Sequence, residues 1–280
     1  MTRTNFGHFR KDNRAVSPAI SSTILTAAIV VMLLVVVGFT NNYLNGQIAQ
    51  NDFNSMKQFM QTVALQADDV AWIPGRTQTL TFATKYGQVT FRSPALTYSF
   101  YFDGSLVASF NVGAILFSIP VNEYSVANNY FEELFPSSEG LLQNGSSAPV
   151  CRTFVTEKLP MQDGSYIRIV AVPIVRQLIA TINAVSYARF YLPIFNTGSS
   201  PELSQSVTMT GLNVYHGIFS NVNNNANNTV TISIAFPNAG IGLTSDFFNF
   251  DATNQTIILG PSSVVEIYGG NVTVSLGISA

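Results

Sequence analysis

The chain has 280 residues, a formal net charge of −2 and only 10% charged residues, far below the roughly 25% usual in soluble domains. Its hydrophobic content of 47% is ordinary, so the chain is not a membrane bundle throughout. Residues 1–14 carry four basic residues and one acidic residue, whereas the rest carries nine basic and 14 acidic residues. An acidic body argues against a nucleic-acid partner, because phosphates require basic patches.

A long uncharged segment follows the basic tip. No charged residue occurs between Ala15 and Asn51, and residues 24–39 form its most apolar part. A transmembrane helix needs about 20 apolar residues, which Pro18–Phe39 supplies. In lipid a single segment must be helical, because its backbone groups need internal partners. The basic tip predicts a cytoplasmic N-terminus and places the remainder outside.

Three kinds of N-terminal segment compete for this pattern. A secretory signal peptide has a shorter apolar core and a small-residue cleavage site after it. Here the core is long, and residues 40–50 that follow it offer no good site. A plain signal anchor fits the hydropathy. The third alternative places the cut ahead of the apolar core, which leaves the whole helix on the mature protein.

The residues at the junction favour the third alternative. Ser17 can act as a helix N-cap, and Pro18 can open the helix because its missing N–H costs nothing there. The run Arg14-Ala15-Val16-Ser17-Pro18, directly before an apolar stretch, resembles the cleavage region of archaeal type IV pilins, which carry class III signal peptides. The resemblance covers about residues 11–40.

This resemblance implies a maturation pathway. A prepilin peptidase would cut between Arg14 and Ala15 at the cytoplasmic face, and an assembly platform with its ATPase would move the helix from the membrane into a filament. Bacterial type IV pilins carry a glutamate at the fifth mature position, which pairs with a neighbour's N-terminus. Ala19 stands there in this chain, as the archaeal branch allows. Archaellins have the same kind of N-terminal segment and are an alternative.

The helical pattern continues beyond the apolar segment. Apolar side chains recur at three- and four-residue steps, which predicts one stripe on which a folded head packs. The helix is predicted to end before Pro74-Gly75. The stripe consists of Phe53, Met56, Phe59, Met60, Val63, Ala67 and Val70.

After Gly75 the hydrophobic period changes to two. In the segment 230–236, for example, valine, isoleucine and phenylalanine alternate with Thr, Ser and Ala. Many such short runs predict an antiparallel β-sandwich-like head. The predicted fold class is therefore α+β, with a leader at 1–14, a membrane and filament-core helix at 15–72 and an extracellular head at 73–280. A subdomain seam is expected near 196–206.

Four N-x-S/T sequons lie in the predicted head and make their asparagines candidates for N-glycosylation. They occur at Asn144, Asn227, Asn254 and Asn271. Glycans would protect a head that has no disulfide, since Cys151 is the only cysteine in the chain.

Residues for catalysis are scarce. After the expected cleavage the only histidine is His216, and one histidine does not make a zinc site of the common type. The chain contains neither G-x-S-x-G nor H-E-x-x-H. No enzymatic activity, cofactor or metal site is therefore predicted.

The expected function is that of a structural subunit. Copies of the chain would assemble through their N-terminal helices into an archaeal type IV pilus-like surface filament, as a major or minor pilin whose head can also adhere. The alternative is a single-pass membrane-anchored surface protein that binds a partner and never polymerises.

Overall fold

The computed structural model describes residues 16–127, 129–136, 140–157, 165–199, 204–221 and 227–277, with side chains from Ile20 onward. The N-terminal helix α1 runs from Val16 to Ala71 over 56 residues. The chain divides into two compact units, residues 1–47 and 48–280. Within the described residues, the first unit holds only the first half of α1, and the second holds its remainder and all the strands.

The second unit is mostly β structure, as the change of period predicts. A 3-10 turn at Ala239–Ile241 and a short helix α2 at Ser245–Phe248 lie between two of its late strands. The strands are β1 Thr77–Thr81, β2 Gln88–Phe102, β3 Ser105–Pro120, β4 Phe131–Phe135, β5 Leu142–Asn144, β6 Cys151–Thr156, β7 Tyr166–Pro173, β8 Val175–Ile182, β9 Val185–Thr197, β10 Ser206–Asn221, β11 Thr229–Ala235, β12 Asn254–Ile258 and β13 Ser263–Gly277.

The strands form two curled, mainly antiparallel sheets. The six-stranded sheet has the order β1-β10-β13-β9-β8-β5, and the seven-stranded sheet has the order β12-β11-β2-β3-β7-β6-β4. Only the pairs β13–β9 and β5–β8 are parallel among the described strands. The prediction of a long N-terminal helix followed by a β-rich domain is confirmed.

Two buried clusters lie on opposite faces of the sheets. The first combines residues of both sheets, such as Leu116 and Phe190. The second joins α1 to both sheets and contains Phe117 and Val272. Neighbouring residues Leu116 and Phe117 enter different clusters because successive strand residues point to opposite faces.

Burial on both faces explains why some strands depart from the predicted alternation. All six residues of β6 and seven of the eight residues of β7 are buried. The sequence alternation in β7 reads as one solvated face, yet Arg168 in this strand is buried with its guanidinium 5.2 Å from the ring of Tyr166. Ile169 belongs to the cluster that contains α1, whereas Val170, on the same face of the strand as Arg168, belongs to the first cluster. Neither face of this strand is therefore turned to solvent.

Candidate functional site

The first half of α1 exposes apolar side chains on every side. Each residue from 20 to 47 is exposed, and the exposed fractions of the large apolar ones run from 49% to 74%. Patches of this extent mark protein–protein or membrane contacts, because monomeric soluble proteins rarely expose more than about a few hundred Å² of contiguous apolar surface. The large exposed side chains are Ile20, Ile24, Leu25, Ile29, Val30, Val31, Met32, Leu33, Leu34, Val35, Val36, Val37, Phe39, Tyr43 and Leu44.

This segment is also chemically suited to a lipid environment. It carries no charged residue, and its helix is long and apolar enough to cross a membrane. The hydroxyl of Thr26 donates to the carbonyl oxygen of Ser22 at 2.8 Å, so this polar group has a partner inside the helix. Such an internal partner is needed in the hydrocarbon core of a bilayer, where an unsatisfied polar group costs several kcal/mol.

The second half of α1 buries a single stripe against the strands. Six of the seven residues in the predicted stripe are buried, from Phe53 to Val70, and Phe59 is partly buried against the same cluster. The prediction of a helix face that packs on the head is confirmed. Charged residues of α1 occur only in this half, and each makes a hydrogen bond or ion pair with a residue that follows the helix in the chain.

Asp52 fixes the segment after β1 to the helix. Its carboxylate accepts hydrogen bonds from the backbone N–H groups of Lys85 at 2.7 Å and Tyr86 at 3.0 Å, and from the hydroxyl of Thr84 at 3.1 Å. Hydrogen bonds to a charged acceptor are the stronger class. The hydrophobic stripe gives no sign of this contact, because Asp52 lies off it.

Lys57 makes a second polar contact with the strands. Its ammonium donates to the carboxylate of Glu132 at 2.5 Å, and the hydroxyl of Tyr130 donates to the same carboxylate at 2.7 Å. Burial by itself would raise the pKa of Glu132, but these two donors outweigh it and the pKa is lowered. Burial and the neighbouring carboxylate raise the pKa of Tyr130 to about 12.

The end of α1 lies directly on the six-stranded sheet. A Cβ atom on Gly270 would come within 2.4 Å of the carbonyl oxygen of Ala71, and one on Gly211 within 2.4 Å of that of Val70. Only glycine leaves room for the helix backbone at these two positions. The helix therefore covers one face of β10 and β13 and ends above Gly270.

Beyond the helix end, an aromatic row continues along the uncovered face. Tyr191, Tyr268 and His216 are paired in register on β9, β13 and β10, and their rings stack at centroid distances of 4.8 and 4.4 Å. The guanidinium of Arg176 lies 5.0 Å from the ring of Tyr191 and donates to Asp68 of α1 at 2.9 Å. Cross-strand stacking of this kind stabilises the sheet.

The predicted processing residues lie at the margin of the described chain. Arg14 and Ala15 fall outside the described residues, so the cleavage site stays a prediction. The helix begins at Val16, which makes Ser17 and Pro18 its second and third residues. Their side chains are outside the described part, and the N-cap role of Ser17 also stays a prediction.

The four sequons occupy different environments. Asn144 is exposed at the end of β5, and Asn227 is exposed just before β11. Asn254 is exposed at the start of the edge strand β12. Asn271 lies half-buried in the central strand β13, where its amide donates to Asn213 at 2.8 Å and its carbonyl oxygen accepts from Asn196 at 3.2 Å. The first three sites are more accessible to modification than Asn271, and all four stay predictions.

The remaining reactive side chains are built into the packing. Cys151 is buried, and burial raises the pKa of its thiol. The buried guanidinium of Arg152 was not predicted from the sequence; it donates to Glu133 and to the carbonyl oxygens of Phe248 and Asn249. Within the described ranges no group of three or more His, Cys, Asp or Glu side chains is placed to hold a metal ion.

Comparison of the chain with protein families, with curated proteins and with solved structures found no match.

Proposed function

We propose that this protein is a structural subunit, a major or minor pilin, of an archaeal type IV pilus-like surface filament. The observation that carries the proposal is the uncharged half of α1, whose apolar side chains are exposed from residue 20 to 47. Such a surface is stable only in lipid or against other apolar surfaces. A subunit that moves from the bilayer into a bundle of like helices keeps this segment away from water in both states.

The N-terminal residues support a defined maturation. A prepilin peptidase removes residues 1–14 by cutting between Arg14 and Ala15, on the cytoplasmic side of the membrane. The basic tip holds the N-terminus in the cytoplasm, and the β domain lies outside. An assembly platform with its ATPase then transfers α1 from the membrane to the helices of other copies. The resemblance of residues 14–18 to class III signal peptides supports these steps.

The β domain serves as an extracellular, sandwich-like head. The residues of both sheets that meet in the first buried cluster support this interpretation. Adhesion is a secondary role of this head. Glycans on the exposed sequons would cover two edge strands, since Asn144 ends β5 and Asn254 begins β12. We assign the head neither a cofactor nor a catalytic activity.

N-terminal sequencing of the mature protein from its native membrane tests the maturation step. A start at Ala15 is expected, whereas a start at Met1 or near residue 40 contradicts the proposal. Arg14→Glu is expected to abolish the mobility shift between precursor and mature chain. Arg10→Glu, which makes the same charge change four residues upstream, is the matched control and is expected to leave cleavage intact.

A second candidate function is a single-pass surface protein that binds a partner through its head. The same apolar helix supports it, because one span of this length is a sufficient anchor. Negative-stain microscopy of material sheared from cells separates the two candidates. Filaments that contain the mature chain support the pilin, whereas quantitative retention of the chain in washed membranes, without filaments, supports the anchor.

A further inference from the structure

One end of the six-stranded sheet has two open edges. At the level of β13 residues 263–267 the sheet consists of four strands in the order β10-β13-β9-β8. The edge strand β1 pairs only with residues 206–210 of β10, and β5 only with residues 175–177 of β8. Within the described residues, 212–221 of β10 and 178–182 of β8 therefore have a strand on one side only.

Apart from the short length of the open part of β8, neither edge carries the features that normally block strand addition. Natural sheets protect their edges with short strands, charged residues, proline or bulges. The other described edge strands fit this rule, since β1, β4, β5 and β12 have five residues or fewer. By contrast, residues 212–221 and 178–182 contain no Lys, Arg, Asp, Glu or Pro, and the one bulge near them lies at Gly211/Asn213, at the beginning of the open part.

Both edges expose large apolar side chains, among them Ile218 on β10 and Ile182 on β8. Ile218 on β10 is 60% exposed. On β8 a shallow hollow is lined by Leu178, Ala180, Ile182, Tyr187 and Arg189. Ile218 and this hollow lie on the same face of the sheet, because Ile218, Glu266, Arg189 and Leu178 are successive partners across the four strands.

Strand direction decides how two copies fit together. β10 is antiparallel to β13, β13 is parallel to β9, and β9 is antiparallel to β8. The two open edges therefore run in the same direction. A second copy placed beside the first with the same sheet direction brings its β10 against β8 as a parallel pair, and the sheet continues from one copy to the next. Such a head-to-tail contact uses two different surfaces of each copy, and without a rotation that closes a ring it generates a linear array.

We propose that the heads of neighbouring copies join by this contact, with Ile218 of one copy seated over the Leu178–Ala180–Ile182 hollow of the next. The occupant of the open β8 edge is thus β10 of a second copy of this chain. This inference rests on the proposed filament and adds a specific head-to-head interface to the helix bundle. Backbone hydrogen bonds supply affinity in strand addition, and the side chains supply register.

Cross-linking in assembled filaments tests the interface. Cys151 is fully buried, so introduced cysteines dominate the reaction with maleimides. Filaments of a chain carrying both Ile218→Cys and Ala180→Cys are treated with a short bismaleimide and expected to give a ladder of dimers, trimers and longer species. Filaments of Ile218→Cys alone are expected to stay monomeric on the gel, because their cysteines lie four strands, about 19 Å, apart at about 4.8 Å per strand.

Each outcome has a separate meaning. Cross-linking of Ile218→Cys alone to dimers shows a symmetric β10–β10 contact and overturns the proposal. Filaments of the double variant without a ladder overturn the sheet contact while the pilin function stands. Absence of filaments from the native chain overturns the pilin function, and the head contact with it.

A charge at the edge gives an independent measurement. Ile218→Lys is expected to reduce the yield of sheared filaments at least several-fold, because a lysine at an edge opposes strand addition. Ser99→Lys is the matched control, since Ser99 lies in β2 with a strand on each side. An equal loss of filaments in both variants contradicts the proposed interface, and circular dichroism of the membrane-extracted chains verifies that both are folded.

Discussion

The two halves of α1 form one continuous helix, yet the environments of their side chains are opposite. Residues 20–47 are all exposed, whereas residues 48–71 bury a stripe that begins at Ala49 and ends at Ala71. The buried half carries the four charged residues of the helix, and the exposed half carries none. The half that is packed within the chain is therefore the more polar one in sequence.

This contrast shows which sequence signal reports packing. A helix whose apolar residues recur at three- and four-residue steps has one face to bury, and its own chain covers that face. A helix that is apolar all round has no preferred face, so burial must come from every side at once. Lipid meets that requirement, and so does a ring of like helices.

The largest expected effect comes from truncating a phenylalanine in each half. Phe53→Ala removes a ring that is 1% exposed and packs against Tyr124 at a centroid distance of 4.7 Å. We expect it to lower the free energy of unfolding of the β domain by about 3–5 kcal/mol. Phe39 is 74% exposed, and Phe39→Ala is expected to leave that free energy unchanged.

Chemical denaturation of both variants in detergent, followed through the near-ultraviolet signal of Trp72, measures the difference. Phe39→Ala is expected instead to reduce the yield of filaments. Equal destabilisation of the β domain by both variants would mean that Phe39 packs on the head, and it would contradict the distinction between the halves.

A charge in each half is the next test. Leu33→Arg places a guanidinium within the apolar segment, where insertion into the membrane is expected to become about 3 kcal/mol less favourable. Leu65 is 55% exposed on the other half, and Leu65→Arg is expected to change stability by less than about 0.5 kcal/mol. Carbonate extraction of membranes measures the fraction of each chain that stays inserted. Comparable loss from the membrane in both variants would show that the second half also lies in lipid.

The elements whose apolar residues recur at a regular spacing could be predicted from the sequence. The change from steps of three and four residues to steps of two marks the passage from α1 to the strands, and the stripe from Phe53 to Val70 identifies the packed face. Local periodicity reports which face of an element is apolar. It does not report the partner, so the contact of α1 with both sheets could not be predicted.

Neither the buried charge nor the pairing of distant strands could be predicted from the sequence. Arg152 stands among residues that read as a strand with a polar face, but α2 and its following residue provide the carbonyl oxygens that hold its guanidinium. These groups are 96 and 97 positions away in the chain. The open edge of β10 could not be predicted from the sequence either. It results from the shortness of β1, which pairs with only five residues of β10. Strand order fixes such features, and no local pattern encodes it.

The smallest expected effect concerns the polar contacts that only the packed half possesses. Lys57→Met keeps a side chain of similar length but removes the ammonium, which binds Glu132 and lies 5.3 Å from the centre of the Phe53 ring. The pKa of Glu132 is lowered in the folded chain, so folding favours the ionised carboxylate. This stabilisation is complete above the ordinary glutamate pKa of about 4.3 and is lost as the pH falls through the lowered value.

Lys57→Met is therefore expected to reduce the unfolding temperature at pH 7 by an amount that corresponds to about 0.2–1 kcal/mol, and to have a smaller effect near pH 2, where the wild-type chain has also lost the ion pair. Arg76→Gln is the control, since it breaks an ion pair with Asp69 whose two side chains are 36% and 55% exposed. Solvent weakens such a pair, and its removal is expected to change the unfolding temperature less than Lys57→Met at pH 7. A loss for Lys57→Met that does not depend on pH would show that the ammonium acts through its contact with the ring of Phe53 rather than through Glu132.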